Sequence, residues 1–157
     1  RLPSPSLRAA VRLLLDEFDL ARQSVDKTRR IVMRAARAFE PIRRFTAFPG
    51  VKWSRAATFF AYVDTPGRFA SKQALWRYMG IGLERRHSGA AAVRVGVPPS
   101  VRVCRPLKGM ILGAARTAIR GENPFAERYK EWHHAGLSER NAVRNVARSL
   151  SSVLWAL

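Results

Sequence analysis

From Leu7 to Phe39 the core-type side chains step four, three, four, three without a break. They are Leu7, Val11, Leu14, Phe18, Ala21, Val25, Thr28, Val32, Ala35 and Phe39. This spacing holds one narrow stripe on one side of an α-helix through successive heptads. Pro3 and Pro5 keep residues 1–6 extended, Ser6 can cap the helix, and Pro41 cannot continue its interior, so the predicted helix covers residues 7–40. At 1.5 Å per residue it is about 50 Å long and projects beyond a small domain. A helix lying along its own core would show a wider stripe. The seam therefore predicts a coiled coil, with Leu14 and Phe18 at a contact that joins copies into a dimer or tetramer.

After Pro41 the chain is cut into short helices by turns. Residues 42–47 and 54–63 read as two helices around the turn Phe48-Pro49-Gly50-Val51-Lys52-Trp53, with Ser54 as cap of the second. Thr65-Pro66-Gly67 breaks the chain, Ser71 caps a helix to Met79, and Gly80 and Gly82 end it. Val93, Val95, Val97, Val101 and Val103 alternate around Pro98-Pro99-Ser100 and could form a small ribbon in an otherwise irregular stretch. Pro106 suits the first turn of a helix to Arg120, Asn123 and Pro124 start another to Ala135, and Ser138 opens the last. In that last helix Ala142, Val143, Val146, Leu150, Val153, Leu154 and Leu157 mark the buried face. The expected fold is all-α: a long helix, then a small helical domain at residues 41–157 with one basic irregular loop.

Charge narrows the partners. The 157 residues are 47% hydrophobic, enough for a core, yet carry 29 Lys and Arg against 11 Asp and Glu, a net charge of +18. Between residues 41 and 121 there are 15 cations and two acids, Asp64 and Glu84. Arg outnumbers Lys 24 to 5, favouring forked contacts to phosphate. This balance points to a nucleic acid. A membrane surface fits poorly, because acids such as Asp16, Glu17 and Asp19 interrupt the polar face of the first helix. One cysteine, Cys104, excludes an internal disulfide. With no signal peptide and no long apolar run, a cytoplasmic, nucleoid-associated bacterial or archaeal protein is expected. The chain opens on Arg1 rather than Met, which predicts a piece of something longer.

Few sites for chemistry are present. No Cys/His spacing suits zinc, His133 and His134 diverge on a helix, and no acidic cluster could hold magnesium. The turn around Gly50 reads as a helix-hairpin-helix over about 42–63, whose backbone N–H groups could hold a DNA phosphate. Lys52 stands where a second glycine is expected in that motif, and Arg55 follows in the second helix. The loop Arg85-Arg86-His87-Ser88-Gly89 is the other candidate. A serine there suits attack on a phosphodiester with guanidinium groups around it, while the plainer reading is a polar loop in which Ser88 caps a turn. Arg94, Arg102, Arg105 and Lys108 complete the predicted nucleic-acid contacts.

The order of these elements resembles a known family. Phe48-Pro49-Gly50-Val51 with Ala56-Ala57, then Gly67-Arg68-Phe69, Gln73-Ala74-Leu75 and Tyr78-Met79-Gly80, is similar to the C-terminal domain of the bridge-RNA-guided insertion-sequence transposases, relatives of the Piv DNA invertase. His87-Ser88-Gly89 falls on their serine-glycine element. Residues 107–115, Asn123-Pro124-Phe125 and the final Ala147-Arg148 and Leu154-Trp155-Ala156-Leu157 resemble their later segments, and the heptad helix sits where they have a coiled-coil linker. The resemblance implies a DNA transposase or site-specific recombinase with Ser88 as nucleophile, acting on DNA with a guide RNA. The alternative is a helix-hairpin-helix module that only grips nucleic acid. Arg85, Arg86 and Arg94 would clamp the phosphate. Three alanines, Ala90-Ala91-Ala92, replace the family's cation soon after the serine. The resemblance also implies an N-terminal RuvC-like domain with four magnesium-binding acids. No cofactor is expected on the present chain, which would be inactive alone. That domain is also the expected source of the base for Ser88, since His87 is its sequence neighbour and adjacent loop side chains point apart.

Overall fold

The computed structural model describes residues 4–83 and 103–157. Among these residues the chain is built from helices alone. The first, α1 (Pro5–Ala36), starts two residues earlier than its seam suggests: Ser4, not Ser6, is the N-cap, and its hydroxyl accepts from the Leu7 N–H at 3.1 Å. Pro5 then occupies the first turn, where its missing N–H costs nothing. The helix also ends earlier, at Ala36. Phe39, the last rung of the seam, is extended (φ −97°, ψ 116°) and serves as N-cap of α2 (Glu40–Phe45), whose first turn holds Pro41. Its ring packs on Phe60, with centroids 5.4 Å apart, so this rung belongs to the small domain and not to a helix partner.

The remaining elements follow the turn chemistry. Helix α3 (Trp53–Val63) takes Lys52 as N-cap without a side-chain bond, which puts the expected cap Ser54 inside the first turn. After a single 3-10 turn at Pro66–Arg68, Ser71 caps α4 (Lys72–Tyr78) by accepting from the Ala74 N–H at 3.3 Å. Helix α5 (Arg105–Ala118) carries Pro106 in its first turn. Asn123 caps α6 (Pro124–His134) by accepting from the N–H groups of Phe125 and Ala126 at 3.1 and 3.2 Å. Gly136 (φ 87°) turns the chain into α7 (Glu139–Trp155). The ribbon expected around residues 93–101 lies outside the described residues, and Val103 has no regular structure.

Helix α5 is the centre of the domain. It packs against α3 on one side and α7 on the other, while α6 and α4 cover α7 and α2 covers α3. Phe59, Leu75, Ile81, Leu107, Ile111, Val146 and Leu150 are fully buried between these helices, each contributing about 1.5–3 kcal/mol of apolar burial. Ala114, Ala115 and Ala118 give α5 a smooth face, and the turn before α3 comes in against it. A Cβ added at Gly50 (φ 76°) would lie 2.1 Å from the Ala114 carbonyl oxygen, while Val51 beside it is completely buried. Only glycine meets both the left-handed backbone and the close approach.

Helix α1 is different. Apart from Ala36 it has no buried residue, and Leu14 and Phe18 are 63% and 62% exposed, with Leu7, Val25 and Val32 of the same seam also exposed. Its last turns alone lean on α3. Among the described residues, no helix is long and apolar enough to cross a membrane.

Gly50→Ala should therefore destabilise the domain by about 3 kcal/mol or more, since neither carbonyl nor backbone can move away cheaply. Urea unfolding followed by circular dichroism measures it; a midpoint unchanged from the unaltered chain would contradict this packing.

Candidate nucleic-acid interface

The predicted contacts divide into groups. Gly50, Lys52 and Arg55 meet at the start of α3. Arg55 is half-buried, and its Nη1 donates to the Gly50 carbonyl at 2.6 Å and to the Thr117 hydroxyl at 3.0 Å. Thr117 in turn donates to the Gly113 carbonyl at 2.9 Å. Arg55 thus ties the hairpin turn to α5, and Gly50 presents its bare Cα to that helix. Lys52 alone of the three projects into solvent. Arg105 is exposed in the first turn of α5, and Lys108 lies one turn further on. Ser88, with Arg85, Arg86, Arg94 and Arg102, lies outside the described residues, as does His87.

Lys108 leads to a feature that motif reading did not single out. It lines a cleft of about 490 Å³ whose other walls are the 80–83 segment and the helix α7 side chains Arg140, Asn141, Arg144 and Asn145, with Arg148 at its base. Among the described residues no carboxylate lines it. The wall is closely packed. Gly80 (φ 69°) is closed over by Val103, whose methyl would be 2.5 Å from an added Cβ, and the Cys104 N–H donates to the Tyr78 carbonyl at 2.9 Å. The chain on either side of the 84–102 segment therefore meets at this wall. The Ile81 side chain is buried, and its carbonyl accepts from Arg148 Nη1 at 2.8 Å. Arg148 also donates to the Asn145 side chain, and only 8% of it is exposed.

Among the described residues no acid pairs with the arginines of the cleft. The one ion pair among the described residues, Arg44 with Glu40 at 2.6 Å, is on α2. Arg140, Arg144 and Arg148 follow one another at a spacing of four, on one face of α7. Burial, and then the neighbouring Arg140, lower the pKa of Arg144; burial, and then Arg144, lower that of Arg148. The same row continues into a second hollow, of about 470 Å³, where Arg116 of α5 and Glu139 join Lys108, Arg140 and Arg144. The signal was present in the sequence as three arginines at helical spacing. Sequence reasoning used α7 for its buried face and named Arg148 only within a motif, leaving Arg140 and Arg144 aside.

Among the described residues no three His, Cys, Asp or Glu side chains gather closely enough to hold a metal ion.

A helical domain whose described residues form a cation-lined cleft is of the kind expected for a protein that handles nucleic acid. Residues 42–130, more than half of the chain, match the family model described as Transposase IS116/IS110/IS902 family, and the chain belongs to that transposase family. No curated protein and no solved structure gives a match.

The two cation environments at the hairpin predict different outcomes on substitution. Arg55→Met leaves the Gly50 carbonyl without its donor and should cost about 1–3 kcal/mol of stability. Lys52→Met, on an exposed side chain, should change it by less than about 0.5 kcal/mol. Thermal unfolding of both variants checks the contrast; equal effects would contradict it.

Proposed function

We propose that this chain is the serine-bearing domain of a DNA transposase or recombinase, in which Ser88 is the nucleophile that cuts and rejoins the strand. The observation that carries this reading is the family match over residues 42–130, which spans the His87-Ser88-Gly89 element and the hairpin together. In the proposed step the Ser88 Oγ forms a bond to phosphorus as one phosphorus–oxygen bond of the strand breaks. The serine proton passes to a base and the leaving oxygen gains a proton, so a phosphoserine link conserves the bond energy for rejoining. Arg85, Arg86 and Arg94, with Arg102 and Arg105 further on, are the cations proposed to hold the phosphate as charge develops. Lys52 at the hairpin is proposed to add a contact to the DNA backbone. No step is assigned to magnesium. It belongs, in this reading, to the acid-bearing RuvC-like domain that the resemblance implies.

The guide RNA and self-association are parts of the same reading. The exposed seam of α1 supports a helix–helix contact between copies, since so many large apolar side chains on one helix are otherwise left in water.

Two experiments test this reading. With the full-length enzyme, guide RNA and a DNA substrate that traps cleavage intermediates, a protein–DNA adduct should form through Ser88, vanish in Ser88→Ala and persist in His87→Ala. Normal strand exchange by Ser88→Ala would leave only a nucleic-acid-binding module. Sedimentation tests the assembly: the unaltered chain should be a dimer or tetramer, and Leu14→Glu should shift it to monomer. A compact monomer in both cases would rule out the α1 contact.

A further inference from the structure

The groove between α5 and α7 is not explained by packing. A row of like charges four residues apart on a helix is destabilising, by a few tenths of a kcal/mol per pair where exposed. Here the cost is higher, because Arg144 and Arg148 are partly withdrawn from water, which is why their charged forms are disfavoured. A fold with no other use for these side chains would be more stable with neutral ones. Arg148 has a structural use, through Ile81 and Asn145. Arg140 and Arg144 make no hydrogen bond or ion pair to any described residue, although Asn141 and Asn145 flank them with further polar groups.

We infer that this groove is a binding track for the backbone of a nucleic-acid strand, with Lys108, Arg140 and Arg144 as its phosphate ligands and Arg148 as the residue that holds its wall. Three observations carry it. Two adjoining hollows share Lys108, Arg140 and Arg144, so the cations line a continuous groove and not a single pocket, which suits a polymer better than an isolated anion. Successive arginines on α7 are about 6 Å apart along the helix axis, the same order as the separation of successive phosphates on a strand. The guanidinium fork matches two phosphate oxygens at once, while the one acid among the described lining residues, Glu139, is confined to the far hollow. The inference rests on the reading that the chain handles nucleic acid and adds a surface remote in sequence from both the hairpin and Ser88. DNA and RNA present the same backbone chemistry, so the two are separated by experiment.

The test is binding of the 157-residue chain to a labelled DNA duplex and, separately, a labelled RNA hairpin, by fluorescence anisotropy over a range of salt. The double variant Arg140→Gln/Arg144→Gln should retain the helicity and thermal midpoint of the unaltered chain, or raise the midpoint by relieving repulsion. Its affinity should fall on the order of tenfold, and its log–log salt slope should become shallower by about two, one for each phosphate that the variant leaves unneutralised. A charge-matched control, Arg12→Gln/Arg22→Gln on α1, should change neither beyond the small effect of net charge. A fall confined to the duplex assigns the groove to DNA, and a fall confined to the hairpin assigns it to RNA; either supports the inference. If the unaltered chain binds neither probe, the nucleic-acid reading itself falls, and this inference with it. If the unaltered chain binds and the α7 variant binds equally, or no worse than the α1 control, only the groove inference is overturned. Displacement of the probe by poly-glutamate as readily as by unlabelled duplex at equal charge also overturns it, in favour of an acidic polypeptide.

Discussion

The close approach of the α2–α3 turn to the backbone of α5 sets the layout of the domain. A carbonyl of a central helix is almost in contact with the Cα of Gly50, and no other residue type leaves room for it. With the turn seated there, Val51 is sealed in the core and Arg55 reaches back to both Gly50 and Thr117. Helix α3 is thereby fixed against one side of α5, which leaves the other side for α7. The basic groove follows from this arrangement, since it is the seam where α5 and α7 part toward solvent.

Arg148 shows how core and surface requirements can meet in one side chain. Its guanidinium is buried deeply enough to be shielded from most water, yet it is satisfied by a main-chain carbonyl and a side-chain amide and not by a carboxylate. Neutral acceptors satisfy the donors but leave the charge in place. The segment that ends α4 is held to α7 this way, and the positive potential at the foot of the groove is preserved.

Much of the fold was legible because turn chemistry is local. Ser71, Pro106, Asn123 and Gly136 each announce a boundary through a bond or a dihedral preference that needs no knowledge of the rest of the chain. Less was legible where tertiary packing decides. Phe39 fits the heptad as well as Phe18 does, but Phe60 is within reach of it and not of Phe18. Arg55 reads as a phosphate ligand on a basic turn, and only the position of Thr117, far along the sequence, reveals its internal partner. The arginines of α7 gave a periodic signal, but their meaning depends on Lys108 and Arg116 lying across from them, which periodicity cannot supply. Ser88 could be reached only through motif order, because a serine beside a glycine in a polar loop has no signature of its own.

The arginine row also makes the domain respond to ionic strength in two opposing senses. In the free chain the repulsion among Arg140, Arg144 and Arg148, set within a net charge of +18, is relieved by dissolved counterions, so added salt steadies the fold. In any complex with a polyanion the bound strand already supplies that compensation, and added salt competes with it. The conditions that best preserve the isolated protein are therefore those that most weaken its hold on a polyanion, and stability measured in concentrated salt says little about the molecule at work in dilute electrolyte.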